Sequence, residues 1–105
     1  MISRSTSQLA VDVHARRAPP NVGPKGSDDD IRFLALAMAG EAGEAANIVK
    51  KAWRDGTPLD REKLAEEIAG TASYLISLPA SIDLDLDAEV VKQIAALEAR
   101  YASAI

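Results

Sequence analysis

The stretch from Ser27 to Gly56 constrains this chain more than any other. It opens with a helix-start signal, closes with a helix-stop signal, and no proline falls between Pro24 and Pro58. Ser27 is a good N-cap, and Asp30 stands three residues on, in the position of a capping-box acid. Asp28, Asp29 and Asp30 place negative charge in the first turn, where the helix macrodipole favours it. The helix is predicted to run to about Arg54 and to stop at Asp55-Gly56, with glycine as the C-terminal stop. Its middle, Leu34 to Ala39, is apolar almost all round, and a helix of that kind is buried on more than one side. In a chain of 105 residues this implies partner subunits, a dimer or a tetramer with closed symmetry as the default.

Three further helices frame it. Ser5 to Arg17 reads as a short first helix with Leu9, Val13 and Ala10 on one face, ending before Ala18-Pro19-Pro20 because residues before proline leave the α region. A loop rich in proline and glycine, Pro19 to Gly26, follows. Thr57 as N-cap, Pro58 at N1 and Asp60 at N3 predict the start of a third helix, with Leu64, Ile68, Thr71/Ala72 and Leu75 as its stripe and Pro79 as its stop. A short loop, Ala80 to Asp83, leads to a fourth helix from about Asp85 to Ala102, with Val90, Ile94, Leu97 and Tyr101 as its apolar seam. Four helices on short loops predict an all-α bundle forming one domain over residues 1–105, with 1–27 as first helix and loop and 28–105 as core.

Composition agrees. Hydrophobic residues make up 48% of the chain but aromatics only 4%, so the apolar content is mostly Ala, Leu, Ile and Val. That suits close-packed helices and argues against a sandwich or barrel. A net charge of −4 argues against the basic surface that nucleic-acid binding needs. The absence of cysteine excludes disulfides, thiolate metal sites and cysteine nucleophiles, and a single histidine, His14, excludes a multi-histidine metal site. A metal would be held by carboxylates, which favours Mg²⁺ or Mn²⁺. No run of about 18 apolar residues is present, so no membrane span is expected. The polar Met1 to Ala10 lacks a signal-peptide core, so the cytoplasm of a cell or of an infected host is expected.

The informative string is Gly40-Glu41-Ala42-Gly43-Glu44-Ala45-Ala46. Glu41 and Glu44, at i and i+3, project from one helical face. Their neighbours are small and apolar, so two like charges there repel and lose solvation unless a cation neutralises them. Gly40 and Gly43 each cost about 1 kcal/mol relative to alanine in a helix interior, which suggests close approach by a neighbouring helix or ligand. On the third helix, Glu67 adjoins the apolar stripe, whereas Glu66 lies about 100° further round, on the side expected to be solvated. If the second and third helices pack antiparallel, Glu67 faces Glu41 and Glu44. Three carboxylates on facing helices suit a Mg²⁺ cage completed by waters and substrate phosphates. The competing reading is an ordinary solvated acidic face.

Glu41-x-x-Glu44, then 22 intervening residues, then Glu67-x-x-Gly70 resembles the MazG-like all-α nucleoside triphosphate pyrophosphatases, whose motif is ExxE followed by ExxD on the next helix. Leu34-Ala35-Leu36-Ala37, Lys50-Lys51, Leu64-Ala65-Glu66-Glu67-Ile68-Ala69, Ile82-Asp83-Leu84 and Arg100-Tyr101 extend the likeness over about residues 28–101. The chain departs from the pattern at Gly70, where the family's last metal-binding acid, normally Asp, is expected. It also lacks the asparagine often found in the family's last helix: Lys92 is followed by Gln93 and Ala96.

The resemblance implies a homo-oligomeric, metal-dependent (d)NTP pyrophosphohydrolase, releasing monophosphate and pyrophosphate, with a purine such as dGTP as the favoured guess; phage-associated members of the family steer nucleotide pools. Glu41, Glu44 and Glu67 would be the metal-holding and catalytic acids, with Mg²⁺ or Mn²⁺ as cofactor. Lys51, on the face of Glu44, and Lys92 are phosphate candidates. Trp53 is a base-stacking candidate against a reading as core, and His14 a base-edge reader against a reading as surface histidine. The alternative is a catalytically impaired nucleotide-binding or regulatory oligomer, because Gly70 cannot ligate. An Asp at position 70 is expected to tighten metal binding.

Overall fold

The computed structural model describes residues 5–17 and 23–103. It is all-α: α1 (Thr6–Arg17), α2 (Asp28–Asp55), α3 (Arg61–Ser81) and α4 (Leu86–Ser103), with no strand among the described residues. The Pro19-Pro20 part of the expected loop lies outside the described residues. No helix of the described residues is long and apolar enough to cross a membrane.

The limits of α2 follow its signals. Ser27 Oγ accepts from the Asp30 N–H at 3.2 Å, and Gly56 closes the helix in the left-handed region at φ 65°. Asp30 differs from a regular capping box in one respect. Its carboxylate accepts from the Gly26 N–H at 2.9 Å, one residue earlier than the motif expects.

The start of α3 corrects the sequence expectation. Asp60, not Thr57, is the N-cap, accepting from the Lys63 N–H at 3.0 Å. The Thr57 N–H closes α2 on the Ala52 carbonyl, and the Asp60 cap stands three residues further on. The end of α3 is a second correction, since the helix passes through Pro79 to Ser81. A proline so near a C-terminus forfeits its own N–H bond but leaves its carbonyl free, and Pro79 O accepts from Ile82 N and Leu84 N.

Helix α3 is central: α2 and α1 each pack along it, and α4 meets no other helix. The α2–α3 pair is antiparallel, because Gly26, just before α2, lies against Ser81 at the end of α3, while the residues of the connecting turn join the two opposite ends. A Cβ on Gly26 would come 2.5 Å from the Ser81 carbonyl oxygen, and its φ of 80° also demands glycine. Buried Ser77 and Ser81 satisfy their hydroxyls on their own helix, at the carbonyls of Ser73 and Leu78.

The enclosed core is small. Among the described residues Leu34, Ala10 and Pro79 are buried apolar residues, and His14 is buried with them. The stripes read from sequence are covered only in part: Ile68 and Leu75 of α3 are exposed, as are Val90, Ile94 and Tyr101 of α4. Leu36, in the all-apolar middle of α2, is 72% exposed. Within one chain the four helices do not enclose a common core.

Candidate functional site

The antiparallel register sets Glu41 and Glu44 of α2 across from Gly70 and Glu67 of α3. One carboxylate oxygen from each of Glu41, Glu44 and Glu67 lies within 4.8 Å of the other two. Glu41 and Glu67 are half-buried between the helices and Glu44 is exposed. Glu66 is exposed, as its position on α3 predicts.

Crowding three acids has an electrostatic signature. The Glu44 carboxyl titrates above its usual value, chiefly through a hydrogen bond with Glu67, then through the charge of Glu67 and partial desolvation, while Lys63 pulls the other way. Glu67 Oε2 is buried and has no hydrogen-bond partner among the described residues. A buried carboxylate oxygen without a donor is costly unless a cation satisfies it. All three donors are hard oxygens, the type that Mg²⁺ and Mn²⁺ prefer. The residues present therefore fit a divalent hard cation.

A groove of about 400 Å³ opens beside the acids. Glu44, Asn47 and Lys51 of α2 line one wall, and Asp60, Lys63 and Glu67 the other. Lys51 thus lies where its spacing from Glu44 placed it. Lys63 and Asn47 did not emerge as candidates from the sequence, although the signal was available: Lys63 is four residues before Glu67, and Asn47 three after Glu44, so each shares a face with a cluster acid.

The remaining candidates are elsewhere. Lys92 is exposed on α4 and paired with Glu89 at 3.0 Å. Trp53 is 86% exposed, which corrects its reading as core, and it does not line the groove. His14 corrects its reading as a surface residue: it is 7% exposed, between α1 and α3. Its ring stacks on Tyr74 with centroids 3.9 Å apart, and Phe33 meets Tyr74 edge-on. Ser73 Oγ donates to the Gly70 carbonyl at 2.7 Å and so accepts from His14 Nε2 at 3.0 Å. His14 is a packing residue in this arrangement.

The glycines also redistribute. A Cβ on Gly40 or Gly43 would meet nothing within 4 Å, so none of the described residues makes the close approach expected there. The close approach is at Gly70, where a Cβ would come 2.8 Å from Glu41 Oε2.

Compared with models of known families, with curated proteins and with solved structures, the chain matches none.

Proposed function

We propose that the chain is a divalent-metal-dependent (d)NTP pyrophosphohydrolase of the MazG-like type, working as a homo-oligomer in the cytoplasm. The observation that carries this reading is the convergence of Glu41, Glu44 and Glu67 from two helices at the mouth of a groove bearing Lys51 and Lys63. An acid cluster beside two cations suits a polyphosphate held through an ion at one end and by ammonium groups along its tail.

Glu41, Glu44 and Glu67 would hold the Mg²⁺ or Mn²⁺. When bound, such an ion neutralises phosphate charge and acidifies a water molecule for attack. The water oxygen bonds to the α-phosphorus, and the bond from that phosphorus to the bridging oxygen breaks. That oxygen departs with pyrophosphate, and the water's proton passes to a cluster carboxylate or to solvent. Lys51 and Lys63 bind the tail and balance charge on the leaving group. Trp53 and Lys92 take part in this scheme only where another copy brings them to a groove.

The oligomer is supported by apolar side chains that one chain leaves open: Leu36 and Val49 on α2, Ile68 and Leu75 on α3, and Val90, Val91 and Ile94 on α4. Exposure on this scale in so small a chain favours an interface. Gly70 favours a second reading, a nucleotide-binding oligomer that turns over slowly or not at all, because this position contributes no carboxylate.

One experiment separates them. The protein is incubated with Mg²⁺ or Mn²⁺ and a panel of (d)NTPs including dGTP, and pyrophosphate is measured. Release that falls at least about a thousandfold in Glu41→Gln or Glu44→Gln supports the enzyme; that loss corresponds to about 4 kcal/mol of transition-state stabilisation. Nucleotide binding without release supports the second reading, and neither binding nor release overturns both.

A further inference from the structure

We propose that Gly70 is the positioning residue of the acid cluster: its missing side chain is the seat on which the Glu41 carboxylate rests. The inference depends on the metal-site reading above and concerns how this chain builds that site. Gly70 follows Glu67 by three residues on α3, and Glu41 precedes Glu44 by three on α2, so the two pairs face each other across the antiparallel helices.

A Cβ built on Gly70 would lie 2.8 Å from Glu41 Oε2, 3.4 Å from its Cδ and 3.8 Å from its Cγ. The first of these is closer than a methyl carbon and an oxygen tolerate. The carboxylate therefore occupies the space that any other residue at position 70 would fill, so the expectation that an Asp there tightens metal binding does not fit this packing. This is how Glu41, on the opposite helix, lies near enough to Glu67 to share a ligand with it. Gly40 and Gly43, on the helix that carries Glu41, have open space where a Cβ would stand, so they make no such demand. The chain thus lacks an acid at position 70 and uses the vacated volume to seat one from the partner helix. An alanine there requires the Glu41 carboxylate to shift from its place in the cluster, while leaving the α3 backbone helical.

The test is Mn²⁺ alone, titrated into the full-length, nucleotide-free protein and followed by the electron paramagnetic resonance signal of the free ion. Gly70→Ala is expected to weaken Mn²⁺ binding about tenfold, with helicity by circular dichroism at least that of the parent. Gly40→Ala is expected to bind as the parent does. In a Glu41→Gln background, Gly70→Ala is expected to cause no additional loss, because its effect runs through Glu41.

Two results overturn the proposal while leaving the metal site standing. In one, Gly70→Ala binds Mn²⁺ like the parent while Glu44→Gln does not. In the other, the Gly70→Ala loss persists undiminished in the Glu41→Gln background. A parent protein that binds no more Mn²⁺ than a variant with Gln at 41, 44 and 67 overturns the metal reading, and this proposal with it.

Discussion

Helices α2 and α4 both carry apolar residues at helical spacing, yet their surroundings differ sharply. The first is paired along α3 and contributes two of three clustered acids; the second touches only α3 and leaves Val90, Val91 and Ile94 in the open. The contrast teaches that periodicity names the face of a helix that favours burial, and says nothing of what covers it. For α2 much of the cover is in α3; for α4, little cover is found among the described residues.

The sharpest way to break the comparison is to remove one lysine from each region. Lys63→Gln, in the groove, is expected to raise KM for the nucleotide about tenfold, the loss of one charge-assisted hydrogen bond. Lys92→Gln, on α4 and paired with Glu89, is expected to change KM less than twofold. Steady-state pyrophosphate release measures both, and an equal loss would mean that α4 of one copy reaches the groove of another. The seam itself is tested by Val90→Asp with Ile94→Asp. Light scattering should then show the mass of the assembly falling by a factor of about two or more, with the helix content of each chain kept. An unchanged mass would place the contact on α2 or α3 instead.

The smallest effect is a pH slope confined to the hairpin. The Glu44 carboxyl is held above its usual value near 4.5, so the folded protein binds that proton more readily than the unfolded chain does. Without divalent ion, the stabilising proton is fully in place below about pH 4.5 and is lost as pH rises through the raised value, so the melting temperature falls across that window. Mn²⁺ at the proposed site would compete with the same proton, so its affinity is expected to rise over the same range. Glu44→Gln should flatten both trends, and a slope that persists in this variant would assign the effect to another group.

Much of this was legible beforehand because it rests on local rules. Ser27 and Gly56 marked the ends of α2, and two i, i+3 acids with a matching acid on the next helix marked the cluster. Where two local rules competed, the reading slipped. Thr57 and Asp60 are both good caps; Thr57 is spent in closing α2 on the Ala52 carbonyl, and Asp60 caps α3. Pro79 is a helix breaker in general, yet α3 continues two residues past it and its carbonyl takes part in closing the end. What no local rule reaches is contact between distant segments. The burial of His14 depends on Tyr74, and the crowding at Gly70 depends on a carboxylate from another helix, so both became visible only once the helices were placed.

The cluster draws its acids from both α2 and α3, so no such chelate exists in the unfolded chain, where the two sequences drift apart. On the proposed reading, an ion held there would act as a rivet: by mass action its free concentration would set how firmly the hairpin is shut, and a chelator is expected to loosen the fold as well as to stop the proposed reaction.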